Sequence, residues 1–288
     1  MSEIKNLLTK EMPTPGVAII IVSIIVNLVF FTQHIMLFYP YNDARAHAIL
    51  TERAEFEEIT IAYGHNQSVS GWMKLNVDTD DPAPLLIFFG GNAMNSSETA
   101  IWYLDGRIYQ YYEGFNWLMI DYPGYGLSTG RPSDRSMFEA ALASFDYMVK
   151  RADIDESNIV VMGHSIGSGV ATHLAAQRDV NGLILLAAYD RGINLYNSIL
   201  NIFHGPLTGL VRYPFDAAYY AKQVNVKPLI IASRDDEIIN YRLTKNLASY
   251  FDEGYKLILL ENIGHNFILT DPDTLVEVQT FLRSLANN

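Results

Sequence analysis

The chain has 288 residues, enough for one large or two small domains, and 49% of them are apolar, enough to build a substantial core. A formal net charge of −12 without any Lys/Arg-rich run argues against a nucleic-acid partner and against attraction to an anionic membrane surface. Cysteine is absent, which excludes disulfides, zinc thiolate sites and a cysteine nucleophile and leaves either redox compartment open.

Val17 to Phe38 is the most apolar stretch and contains no Asp, Glu, Lys or Arg. As a helix it would run about 33 Å, matching a hydrocarbon core of about 30 Å. Pro13, Pro15 and Gly16 bound it on one side, and Tyr39-Pro40-Tyr41 supplies interfacial aromatics and a helix breaker on the other. The boundaries expected are a tail over 1–15, a single-pass transmembrane anchor over 16–38 and a folded domain over 39–288. A cleaved signal peptide and a buried core helix are the competing readings. Ala44-Arg45-Ala46 would be the cleavage site, but it lies well past the apolar run. Ser23 and Asn27, four apart, share a helix face that could bond a neighbouring helix. Lys5 and Lys10 before the span are matched by Arg45 and Arg53 after it. The balance gives only a lean toward a cytoplasmic N-terminus and leaves the side of the membrane open.

Two alternating segments, Phe56 to Tyr63 and Val69 to Val77, flank the turn Gly64-His65-Asn66 and predict an antiparallel pair. A polar loop, Asp78 to Pro84, then leads to Leu85-Leu86-Ile87-Phe88-Phe89, a continuous apolar run typical of a strand covered on both faces. Gly90-Gly91-Asn92-Ala93 follows directly. Glycines at a strand end permit the close backbone approach that an oxyanion requires, with the Asn92 amide as donor; a plain turn into a helix is the alternative. That helix is expected over Ser97 to Tyr112, with Ser96, Ser97 and Glu98 as its cap.

Trp117 to Asp121 is the next buried strand, followed by Asp121-Tyr122-Pro123-Gly124-Tyr125-Gly126-Leu127-Ser128-Thr129-Gly130-Arg131-Pro132-Ser133, a loop dense in turn formers and more stereotyped than a connection requires. Ser133 or Ser136 caps the helix that follows, and Ser136-x-x-Glu139 fits a capping box. The apolar run Ile159 to Met162 then meets Gly163-His164-Ser165-Ile166-Gly167 and a small-residue helical pattern. In a strand–turn–helix context this G-x-S-x-G lets the backbone turn so sharply that the serine hydroxyl stands above a parallel sheet, with the Ile166 amide as the second oxyanion donor.

Phe89-Gly-Gly-Asn-Ala, Asp121-Tyr-Pro-Gly-Tyr-Gly-x-Ser-x-Gly-Arg-Pro-Ser and Gly163-His-Ser-Ile-Gly, in this order, resemble the α/β-hydrolase fold family. Within it the chain is similar to single-pass membrane-anchored members, whose relatives include lipid hydrolases and protein depalmitoylases. The resemblance covers residue 39 onward. It implies a mostly parallel eight-stranded sheet with helices on both faces and a small cap, here 189–222, preceded by the N-terminal helix. Gly90 departs from the histidine found there in many relatives, which leaves the backbone donor but removes the polar support of that side chain.

Family order places the acid after the nucleophile and the histidine last. Pro228 to Ser233 is a strand ending in Arg234-Asp235-Asp236-Glu237-Ile238-Ile239, and the resemblance points to Asp236 as the acid, since it precedes Glu237-Ile238-Ile239 as the family's acid precedes a similar acidic-apolar run. Asp235, and Asp190 after the strand Leu183 to Ala187, remain alternatives. Lys256 to Glu261 is the last strand, and His265 in the loop after it is the only histidine downstream of the acid. Asp271-Pro272 opens a closing helix through Leu285. His204 is read as structural.

The expected function is cleavage of a carboxylic ester or thioester of a lipidic or acylated substrate by Ser165, Asp236 and His265, with Asn92 and Ile166 as the oxyanion hole. The chemistry calls for no cofactor and no metal, and the expected partners are the acyl substrate and a membrane, not nucleic acid; the oligomeric state is undetermined. A non-catalytic interaction protein on the same fold, a serine peptidase and an acyltransferase are the alternatives.

Overall fold

A computed structural model describes residues 15–75 and 81–285 of the chain. Lys5, Lys10, Pro13, Val77 and positions 78–80 of the anticipated loop lie outside the described residues.

Eight strands form one sheet: β1 (Phe56–Tyr63), β2 (Gln67–Lys74), β3 (Ala83–Phe89), β4 (Asn116–Ile120), β5 (Ile154–His164), β6 (Gly182–Leu186), β7 (Leu229–Ser233) and β8 (Lys256–Leu260). Their order is β1-β2-β4-β3-β5-β6-β7-β8. The first pairings, β1 with β2 and β2 with β4, are antiparallel, and every later pairing is parallel. All residues of β4, β6 and β7 are buried, as their unbroken apolar runs require. Alternate side chains feed two cores. Leu85, Ile87, Phe89 and Val161 go to one face, and Leu86, Phe88, Val160 and Met162 go to the other.

Parallel register brings the ends of five strands to one edge. Phe89 lies opposite Gly163, His164 opposite Leu186, and Ser233 opposite Leu260. The loops leaving β3, β5, β7 and β8 therefore emerge side by side, where an open α/β sheet leaves a crevice.

The most apolar 18-residue window of helix α1 (Pro15–Leu37) has a mean hydropathy of 2.4, and none of it is buried. A core helix would be buried there, so that reading does not describe α1. Asn27 spends its side-chain amide on Ser23 O of its own helix at 2.8 Å. The last turn behaves differently. Gln33, 2% exposed, donates to Leu210 O at 2.9 Å and accepts from Arg212 N at 2.8 Å. His34 bonds the Tyr213 hydroxyl at 2.9 Å, and Phe38 packs edge-on against Tyr213. A short helix, α2 (Ala44–Thr51), follows, capped by Asp43.

Two local expectations are corrected. The helix read as Ser97 to Tyr112 is α3 (Ser96–Asp105) followed by a separate 3₁₀ turn (Ile108–Tyr112), because Arg107 adopts φ 53° and breaks the α-helical path. Its N-cap is Asn95, whose side chain accepts from Ser97 N and Glu98 N. Ser96 and Ser97 are spent elsewhere: the Ser97 hydroxyl takes the Trp72 indole N–H at 2.7 Å, and Ser96 bonds Asp121. In α4 (Asp134–Met148) the capping box joins Ser133 to Ser136, and Glu139 pairs with Arg135. Helices α5 (Ile166–Gln177) and α8 (Tyr241–Ala248) lie in crossovers and α9 (Pro272–Leu285) follows the last strand, while the 189–222 segment supplies α6 (Gly192–Ile199), a 3₁₀ turn and α7 (Ala217–Ala221).

Asp121, 4% exposed at the end of β4, accepts from Ser96 N at 2.6 Å and from Ser96 Oγ at 2.8 Å. Burial nevertheless pushes its pKa up to about 6, the two bonds only partly opposing it. Between the unfolded value near 3.8 and about 6 the folded state keeps a proton that the unfolded chain releases, so this group's contribution to stability falls as pH rises through that window. Asp121→Asn removes the titration. Urea unfolding of the variant at pH 4 and pH 6.5 is expected to differ from wild type in its pH dependence by about 3 kcal/mol at most. His164 and His173, both held low by burial, act in the opposite sense in wild type and variant alike and cancel in the comparison.

Candidate active site

Ser165 leaves β5 with its N–H still in the ladder, donating to Leu186 O at 3.0 Å. It then adopts φ 55° and ψ −123° and enters α5. A side-chain-bearing residue in such a region costs roughly 1–3 kcal/mol and persists only when its surroundings over-determine it. They do here. The Ser165 carbonyl accepts from Ser168 N at 2.9 Å and from Ser168 Oγ at 2.6 Å. Gly163 and Gly167 are required by contact: a Cβ on Gly163 would lie 2.7 Å from Gly167 C, and one on Gly167 would lie 2.6 Å from Gly90 O. The elbow is thus pressed against the turn that ends β3.

Ser165 Oγ lies 3.0 Å from His265 Nε2, and His265 Nδ1 lies 2.8 Å from Asp236 Oδ2. The His265 and Asp236 side chains are 4% and 1% exposed. With Nδ1–H donated to Asp236, Nε2 is left to accept the serine hydroxyl, which fixes the tautomer from the network. Asp236 Oδ1 accepts from Ile238 N at 2.9 Å and Ile239 N at 2.7 Å, so both carboxylate oxygens are engaged. The other acids face away. Asp235 accepts from Asn262 N, and Asp190 is occupied by Asn194 and Arg191 N.

Two further groups hold the histidine loop. Glu237 accepts from His265 N at 3.0 Å. His164, fully buried, points Nε2 at His265 O at 3.3 Å, and burial followed by the neighbouring His265 lowers its pKa to about 3, so it stays neutral and donates. Neither role is marked in the sequence, where Glu237 is one acid among three and His164 fills a variable motif position.

Ile166 heads α5, where the first N–H groups have no intrahelical acceptor. Asn92 follows Gly91, whose backbone runs so close to the elbow that a Cβ on it would sit 2.9 Å from His164 Nδ1 and 3.4 Å from Ser165 Cβ. Ala93, next in the turn, is held at φ 57°. A cavity of about 390 Å³ opens beside this turn, lined by Asn92, Met94, Glu98, Trp102, Asn266 and Leu269 among others. Its size falls in the usual range for a small-molecule site. All five residues singled out from the sequence, Ser165, Asp236, His265, Asn92 and Ile166, belong to loops or helix starts at this one sheet edge.

Comparison with known proteins agrees with this architecture. The alpha/beta hydrolase fold family matches residues 84–202, and the serine hydrolase family matches residues 145–271. An uncharacterized protein of Mycobacterium tuberculosis is 22% identical over 266 residues, covering 92% of this chain and 90% of its own. Among solved structures, ferulic acid-bound Est1E of Butyrivibrio proteoclasticus superposes with a TM-score of 0.65 at 18% identity, over 80% of this chain and 100% of its own. An alpha-beta hydrolase of Vibrio vulnificus gives 0.65 at 22% identity, over 93% and 95%. The chain thus has the α/β-hydrolase fold, with residues 84–202 matching the model of that fold family and residues 145–271 matching that of the serine hydrolases.

Proposed function

We propose that the protein is a membrane-anchored serine hydrolase that cleaves carboxylic ester or thioester bonds of lipidic or acylated substrates. The observation that carries the reading is the unbroken hydrogen-bonded chain Ser165–His265–Asp236 on a strained elbow. In this reading His265 takes the Ser165 proton at Nε2 as Oγ attacks the acyl carbonyl, and the Asn92 and Ile166 amides receive the oxyanion. His265 then gives that proton to the departing alcohol or thiol. A water, deprotonated by His265, attacks the acyl-enzyme and releases the carboxylic acid, and the proton returns to Ser165. Asp236 keeps the imidazole in the tautomer required and stabilises its charged form.

The lipid half of the reading is supported by α1, long enough to span a bilayer, unburied over its apolar window and bonded at its last turn into the folded domain. That docking makes α1 part of the domain and favours an uncleaved anchor over a signal peptide. The ester chemistry draws on likeness to solved structures that include an esterase of Pyrococcus furiosus.

Asp236→Asn should lower kcat by about 10⁴, because the amide favours the wrong imidazole tautomer, while Asp235→Asn and Asp190→Asn should leave turnover near wild type. Equal losses for Asp235→Asn would reassign the acid. For substrate class, full-length protein in vesicles is given a long-chain glycerolipid ester, a palmitoyl-thioester peptide and a short soluble ester. Preference for either long-chain substrate supports the reading; equal kcat/KM on the short ester removes the lipid component.

A further inference from the structure

The loop Asp121 to Ser133 is the one sequence motif that the chemistry above leaves without a task. Its two tyrosines reach the turn that ends β3. Tyr122, 4% exposed, donates its hydroxyl to Gly90 O at 2.7 Å. Tyr125, 1% exposed, donates to Asn92 Oδ1 at 3.1 Å. The segment leaving α1 closes the group: Tyr39 N donates to Asn92 Oδ1 at 3.0 Å and to the Tyr125 hydroxyl at 2.9 Å. Burial raises the pKa of both tyrosines, so their hydroxyls remain protonated donors.

Three of these bonds end on a six-residue turn, residues 90–95, that has no ladder of its own. Gly91 of the same turn lies against Ser165. A turn in that position, with Ala93 at positive φ, keeps its shape only while its polar groups are held. An oxyanion donor accelerates a reaction to the extent that it is already aimed, because a donor that must first swing into place gives back what it contributes.

We propose that Tyr122, Tyr125 and the Asn92 side chain are positioning residues that hold the Asn92 amide in its oxyanion-binding direction, with Tyr39 joining the exit of α1 to the same group. The proposal rests on the acyl-transfer reading above. It means that truncating the Asn92 side chain costs activity although the donor itself is a backbone group.

The test uses the full-length protein in nanodiscs, a chromogenic ester and a fluorophosphonate probe. Tyr125→Phe and Asn92→Ala are each expected to lower kcat 10- to 100-fold with KM within twofold, and to slow probe labelling in proportion. The double variant should lose less than the product of the two single losses, since both remove the Tyr125–Asn92 bond and differ only in which acceptor they leave for Tyr39 N. Tyr122→Phe should show the same split from the other end of the turn. A role confined to stability would lower the Tm and the active fraction without slowing labelling of the folded protein. Wild-type kcat in both Tyr125→Phe and Asn92→Ala overturns the proposal. Should Tyr125→Phe fail to fold, the half-buried Asn92 site decides alone. Ser165→Ala, run beside them, separates the two levels: equal labelling of wild type and Ser165→Ala removes the acyl-transfer reading itself, whereas Ser165-dependent labelling with unaffected tyrosine variants removes only this inference.

Discussion

Ser165→Ala is expected to abolish fluorophosphonate labelling and to lower kcat by about 10⁶, leaving only the acceleration that substrate binding and the backbone donors supply without a nucleophile. The reason is arithmetic in the mechanism. In the proposed mechanism no acyl-enzyme forms without Oγ, so His265 has no hydroxyl proton to take and the Asn92 and Ile166 amides have no oxyanion to receive. His265→Ala should cost about as much, and the double variant no more than either, because the two groups operate on one proton. The fold should survive both changes: alanine can occupy the Ser165 conformation as readily as serine, and the Ser168 bonds go to the carbonyl, which the substitution keeps. Circular dichroism and urea midpoints alongside the kinetics check that point. Retained labelling in folded Ser165→Ala would place the nucleophile elsewhere.

Gly167→Ala is expected to have the largest effect on stability, more than about 4 kcal/mol, or to prevent folding. The added methyl would sit 2.6 Å from Gly90 O and 2.7 Å from Phe89 C, with Phe89 O nearer still. These are backbone atoms, so no rotamer change relieves the contact, and relief means driving α5 away from the end of β3. Even a shift of about 1 Å there would misplace Oγ enough to cost about 10²-fold in rate. Gly209 is the control, because a Cβ on it meets nothing within 4 Å; Gly209→Ala should change stability by about 0.5 kcal/mol or less. Urea denaturation and soluble yield of the two variants decide it. Similar midpoints for both would mean that the elbow tolerates expansion.

The sheet was legible because its central strands are covered on both faces and so appear as unbroken apolar runs, Leu85 to Phe89 and Leu183 to Leu186 among them. That Ser165, Asp236 and His265 come together at one sheet edge was legible for a related reason. Each follows such a run by a few residues, so strand order and motif order point to the same positions. What could not be read were bonds between distant segments. Asn95 caps α3 in place of the serines beside it because Trp72 and Asp121 compete for their hydroxyls, and neither competitor is close in sequence. Tyr122 and Tyr125 looked like parts of a turn. Their partners, Gly90 and Asn92, lie about thirty residues upstream, with no periodicity to connect them. Likewise the apolar run Val17 to Phe38 announces a helix, while only Leu210 and Arg212 reveal that Gln33 is where it is fastened.

That fastening bears on how an encounter with substrate would proceed. A catalytic domain on a slack tether tumbles above a bilayer and meets lipids in every attitude. Gln33 removes that slack, since two backbone groups of the domain grip a single side chain in the last turn of α1. With α1 in the bilayer, as proposed, these bonds narrow the range of heights and tilts open to the domain. Part of the orientational search is then spent before a substrate arrives.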